Sequence, residues 1–132
     1  MSEANKALVR KYYEAVTGDL SKVDALLTAG FVDHHFPPGL PPGPAGVKQF
    51  FTNMGSVFSN MKIEHQFMLA EGSKVDCHFV FTAKQTGPFG EIPAKGNAIR
   101  LPAIATFRIE GNKLAEAWEI FDSGTLFGQM KA

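Results

Sequence analysis

Disulfides, charge runs and long apolar stretches are all missing from this sequence, and each absence removes a class of function. A single cysteine, Cys77, rules out an internal disulfide. No apolar run approaches the ~20 residues that a membrane-spanning helix requires. Thirteen Lys and Arg balance thirteen Asp and Glu. No basic run interleaves with aromatics, so the electrostatic footprint of a nucleic-acid or anionic-membrane binder is lacking. The opening residues Met1-Ser2-Glu3-Ala4-Asn5-Lys6 carry neither the basic nor the apolar region of a secretory signal, and a cytoplasmic location is expected. Histidine is scarce. His34 and His35 would point to opposite sides of an extended segment, and His65 and His78 fall in separate segments without a ligand motif, so no metal site is expected.

What the chain has in quantity is phenylalanine, twelve in 132 residues, which suggests a core wrapped around an apolar pocket. A chain of this length forms one domain, 1–132, and buries about two-thirds of its unfolded surface. No internal repeat divides it.

From Glu3 to Val16 the apolar residues fall at helical spacing, with Leu8, Tyr12 and Ala15 flanked by Val9, Tyr13 and Val16, and Gly18 ends the run. Asp19 suits the N-cap of a short second helix carrying Leu20, Val23, Leu26 and Leu27 and stopping near Gly30. Phe31 to Phe36 reads as a brief extended segment that sets Asp33, His34 and His35 before Pro37–Gly46, a stretch with five prolines. That stretch is a stiff surface loop, either the mouth of a pocket or an inert connector. Pro44 opens a third helix whose apolar face runs Val47, Phe50, Phe51, Met54, Val57, Phe58. Four strands follow, over 62–71, 74–86, 97–110 and 113–122, with Pro102 marking an edge position or a bulge. Helices followed by an antiparallel meander give an α+β fold. Long strands with a bulge curve the sheet into a cone, three N-terminal helices covering its concave face.

The stretch Leu114 to Asp122 carries the chemistry. At a period of two, Leu114, Glu116, Trp118, Ile120 and Asp122 share one face, while Ala115, Ala117 and Phe121 share the other with Glu119. Trp118 and Asp122 lie roughly 13 Å apart along such a strand, the base and rim of one cavity. Asp122 precedes Ser-Gly, so it either caps the following turn or acts as an acid in an apolar pocket. Cys77, on a dry face, is an inert core residue.

Taken together, helix, Gly-Asp, short helix, Asp33-His34-His35, the helix opened near Gly46, the Gly90–Gly96 segment and the ending Lys113 to Gln129 resemble the SnoaL-like polyketide cyclases of the nuclear-transport-factor-2-like (cystatin-like) superfamily. The resemblance implies a cofactor-free intramolecular aldol cyclase for an aromatic polyketide ester, often dimeric through the sheet. It carries the acid/base aspartate onto Asp122 and a histidine onto His34 or His35. Tyr13, Phe50, Met54, Arg100 and Trp118 are the candidate substrate-binding residues. Thr86-Gly87 stands where the family commonly has His-Gly, which removes one donor to a substrate carbonyl.

The chemistry is coherent without a metal. An aldol closure needs one acidic proton removed and one returned to the new alkoxide, which a carboxyl with a raised pKa can do in sequence. Two other readings stand beside it. A non-catalytic module would hold an apolar or aromatic ligand in the same pocket. An isomerase or epoxide hydrolase of the superfamily would need carboxyls on the 97–110 strand or around Arg100, where the expected interior offers only Arg100, Pro102, Ile104 and Thr106.

Overall fold

In the computed structural model, residues 2–132 are described. Helix α1 spans Ser2–Val16. A 3-10 turn follows at Leu20–Ala25, capped by the Asp19 side chain, which accepts the Ser21 N–H. Strand β1 is Leu27–Asp33, α2 Pro44–Gly55, β2 Phe58–Glu71, β3 Lys74–Gln85, β4 Ala98–Glu110, β5 Lys113–Phe121 and α3 Ser123–Lys131. The five strands form one sheet in the order β1-β5-β4-β3-β2. β1 runs parallel to β5 and the other pairs are antiparallel.

The α+β class expected from the sequence is what forms, with three corrections. The second helix is only a 3-10 turn, because Leu27 and Gly30 belong to β1, which takes the edge beside β5. Val57 and Phe58 leave the third helix: Val57 lies in the turn and Phe58 opens β2. A C-terminal helix, α3, follows the last strand; Leu126 and Met130, four apart, bury one side of it against Phe58, Ile99 and Leu101.

Register shifts at Ser59/Lys62 and His65/Phe67 on β2, and at Arg108/Ile109 on β4, bend the sheet around α1. Its concave side receives Val9, Tyr12, Tyr13 and Val16 from α1, together with Val75, Cys77, Phe79, Ala105, Phe107 and Leu114 from the strands. Pro102 behaves as its missing N–H requires. It pairs with Val80 on β3, but β5 pairing reaches only Ala103↔Phe121, so Pro102 has a strand on one side alone. No helix among the described residues is long and apolar enough to cross a membrane.

Candidate active site

The bulge in β5 decides which side chains face inward. Arg108 pairs with Glu116 but Ile109 with Leu114, so Ala115 is the extra residue and Leu114 turns in with Ala117. This corrects the strict alternation, which put Leu114 beside Trp118. Beyond the bulge the period of two holds, and Ala117, Glu119 and Phe121 share the inner face with their partners Phe107, Ala105 and Ala103. The inward residues of β4 are therefore the odd-numbered ones, and Arg100, Pro102, Ile104 and Thr106 lie on the outer face, opposite to expectation.

Glu119 enters an apolar layer. Across the sheet its row continues Ala105, Cys77, Met68. The small Ala103 and Ala105 leave the space above the sheet to the ring of Tyr13, which packs edge-on or tilted against His65, Phe79 and Phe107. Tyr13 Oη donates to Glu119 Oε1 at 3.5 Å. Glu119 keeps partial exposure, yet loss of water around its carboxyl, and secondarily repulsion from Asp33, push its pKa up to about 8. Asp33 ends β1 opposite Ala117 and is 6% exposed. Burial raises it to about 6 against the lowering effects of the His35 N–H and of His34. By strand geometry the two Cα atoms stand roughly 8 Å apart, two residues along and one strand over. At this range the charge of Asp33 reaches Glu119 and disfavours its ionised form.

His65 also faces inward, opposite Phe79; its Nδ1 is buried without a partner, and desolvation lowers its pKa. Cys77 is buried in the same row, its thiol pushed up to about 12 by desolvation, an inert side chain as expected. Among the described residues no three His, Cys, Asp or Glu side chains converge as a metal cage would need.

Of the residues singled out from the sequence, Tyr13 alone reaches Glu119. Phe50 stacks on Phe36 at 4.1 Å, and Met54 packs against the second apolar cluster around Phe58 and Leu126. His35 lies edge-on to Phe121 at 4.7 Å, at the inner face, whereas His34 goes outward to pair with Glu116 at 2.6 Å and stack on Trp118. Trp118 is itself on the outer face. Asp122 is not held in an apolar pocket. It is the N-cap of α3, at the surface, its Oδ1 accepting the Gly124 and Thr125 N–H groups at 2.9 and 3.3 Å and its Oδ2 the Thr125 hydroxyl at 2.9 Å. These bonds, the Thr125 hydroxyl foremost, stabilise the ionised form and lower the pKa. Arg100 and Asp122 share an outer groove of about 700 Å³ with Phe67, His78 and Ile120. Arg100 is anchored there through its backbone by the Gln129 amide.

The SnoaL-like polyketide cyclase profile matches residues 6–130. The chain belongs to that family. Among solved structures, TsrD from Streptomyces laurentii superposes with a TM-score of 0.87 at 23% identity, over 97% of this chain and 95% of that one. IdmH from Streptomyces antibioticus gives 0.83 at 22%, over 97% and 99%. A SnoaL-like polyketide cyclase from Agrobacterium tumefaciens gives 0.79 at only 11%, over 96% and 97%. At such identities the likeness speaks for the fold, that of the nuclear-transport-factor-2-like superfamily. None of the curated proteins matches the sequence. Glu119 and Asp33 escaped the sequence reading, although one signal was present: Glu119 is the lone acid on an otherwise apolar strand face.

Proposed function

We propose that this SnoaL-like chain is a cofactor-independent cyclase that closes a ring by intramolecular aldol condensation of an aromatic polyketide ester, with Glu119 as its acid/base group. The observation that carries the reading is a carboxyl among Ala103, Ala105, Phe79 and Tyr13, whose pKa of about 8 leaves it protonated at neutral pH. Such a group can return a proton to a new alkoxide, and its conjugate base is strong enough to remove one from carbon. Tyr13 Oη beside it is a donor for the developing oxyanion. Family membership supports the reaction class. The role that resemblance gave to Asp122 passes, in this reading, to Glu119, since a surface cap with a lowered pKa is a weak base.

The test is ring closure of a linear aromatic polyketide ester followed by absorbance. Glu119→Gln should lower kcat by about 10²–10⁴-fold, the usual worth of a general acid/base group. Undiminished turnover by this variant, or loss of turnover in Asp122→Asn with the fold intact, would return the role to Asp122.

A homodimer through the outer sheet face belongs to the same proposal. Phe67, Leu69, Ile104, Trp118 and Ile120 are 51, 61, 40, 37 and 74% exposed there, an apolar surface that a second copy would cover. Sedimentation equilibrium at micromolar concentration tests it, a monomer being the adverse result.

A further inference from the structure

The outer face of the sheet has two unlike ends. At the end closed by the hairpin turns at Gly72 and Gly111, the cations are engaged: Arg108 pairs with Glu116 at 2.9 Å and with Glu110 at 3.2 Å, and Lys74 Nζ lies 5.7 Å from the centre of the Trp118 ring. Toward the opposite end, strand register sets Lys62, Thr82 and Arg100 in one row across β2, β3 and β4, and Lys84 stands one row further along β3. Neighbours in such a row are about 5 Å apart and successive rows about 7 Å. Lys62, Lys84 and Arg100 are exposed, and none of them forms an ion pair among the described residues. Two acids nearby are already occupied: Glu64 accepts from Gln66 Nε2 at 3.3 Å, and Asp122 caps α3.

Beside this row lies the outer groove of about 700 Å³, well inside the ~300–1,000 Å³ of small-molecule sites. Arg100 belongs to both features, since it lines the groove and ends the cationic row. Pro102, Ile104, Ile120 and Phe67 supply apolar walls, and Phe67 stacks on His78 at 4.1 Å. The Arg100 backbone is fixed. Gln129 Oε1 accepts its N–H at 3.0 Å and Gln129 Nε2 donates to its carbonyl at 2.8 Å, so an amide from α3 takes the place that β5 vacates beyond Ala103.

An apolar groove that ends at three cations and a hydroxyl suits a molecule with an apolar body and a compact head of high negative charge. A phosphate monoester carries about two negative charges at neutral pH and three acceptor oxygens, and the arginine fork matches it in geometry. We propose that the outer groove binds a soluble amphipathic phosphate monoester, its chain lying over Phe67, Ile104 and Ile120 and its phosphate held by Arg100, Lys62 and Lys84, with the Thr82 hydroxyl as a further donor. Such a site stands apart from the cyclase reading, since Glu119 lies on the other face of the sheet. The second copy proposed for this face uses Phe67, Ile104 and Ile120 as well, so ligand and second copy exclude one another.

The probe is octyl phosphate below its micelle concentration, titrated calorimetrically into the wild-type protein, with octyl β-glucoside as the uncharged chain and inorganic phosphate as the bare head. Octyl phosphate should bind at least about tenfold more tightly than either, and its advantage should shrink as sodium chloride is raised from about 50 to about 500 mM. Arg100→Gln, which keeps the backbone clasp, should weaken octyl phosphate about tenfold and leave octyl β-glucoside unchanged. Joint Lys62→Gln and Lys84→Gln substitution, on two exposed side chains, should do the same, with melting temperatures recorded in parallel. Saturating octyl phosphate should shift sedimentation toward monomer. Equal affinity for octyl phosphate and octyl β-glucoside, or folded variants that bind octyl phosphate like wild type, would overturn the phosphate site. A dimer unmoved by saturating octyl phosphate would place the chain elsewhere and overturn the groove assignment. Absence of binding would overturn the proposal, and a dimer in sedimentation would then give the face to the second copy. Binding to phosphatidylglycerol vesicles without binding to octyl phosphate would overturn it too, by making the head a membrane's.

Discussion

Glu119 and Asp122 stand three residues apart where β5 gives way to α3, and their carboxyls have been pushed in opposite directions. Glu119 points inward among alanines and aromatic rings, loses water and feels Asp33, and its pKa climbs to about 8. Asp122 faces solvent, receives two backbone N–H groups and a hydroxyl at the start of a helix, and its pKa falls. Sequence position and residue class hardly differ; what differs is whether hydrogen-bond donors or apolar atoms replace the lost water. A carboxyl satisfied by three donors is held toward its ionised form, and one with a single long bond at 3.5 Å in a dry setting keeps its proton to higher pH.

The sharpest way to break this contrast is to neutralise each acid in turn. Glu119→Gln is expected to cost about 10²–10⁴-fold in kcat and Asp122→Asn less than about threefold, measured on the same substrate under saturating conditions. Equal losses would erase the distinction.

Next in size is the pH dependence of stability. The folded-state pKa of Glu119 lies above its ordinary 4.5 and that of Asp33 above 3.8, so both favour the folded chain while protonated. Their stabilising effect is complete below those ordinary values and disappears as pH rises through about 6 for Asp33 and about 8 for Glu119. Melting temperature should therefore fall as pH rises from about 4 to about 8, most steeply below about 6 where both groups contribute, and Glu119→Gln should flatten the part between about 6 and about 8. Asp122 has the opposite sign: with a lowered pKa it stabilises above 3.8 and that contribution is lost as pH drops further. A Glu119→Gln protein with an undiminished slope between about pH 6 and about 8 would contradict the burial argument.

Smaller still is the cap. Asp122→Ala should lower the melting temperature by a few degrees through fraying of α3, while Asp122→Ser, which keeps an acceptor, should recover most of the loss. The mildest effect expected on the folded protomer is that of Ile120→Glu on the outer face. Little stability depends on a side chain 74% exposed, and under the proposed homodimer the variant should instead shift sedimentation toward monomer.

Much of the fold is legible in the sequence. The spacing of Leu8, Tyr12 and Ala15 announced α1, Pro44 marked the start of α2, and Gly111-Asn112 closed the final hairpin, with φ of 57° and 63° at those two residues. These are local matters of side-chain period and backbone sterics. The end of β1, Phe31 to Asp33, reads as extended, but its start is not legible, because Leu20 to Leu27 is apolar enough for either a helix or a strand and the deciding factor is the parallel edge that β5 offers far along the chain.

Composition and pattern alone determined an α+β domain with an aromatic-rich interior, an acid at the end of the last strand and a family likeness running nearly end to end. Only the tertiary structure decided which acid is inside. One extra residue at Ala115 sets the facing of everything after it, and desolvation of Glu119 depends on α1 and β1 arriving from more than eighty residues earlier. A side chain's loss of water is a property of all its neighbours at once, and those neighbours are brought together by folding rather than by order along the chain.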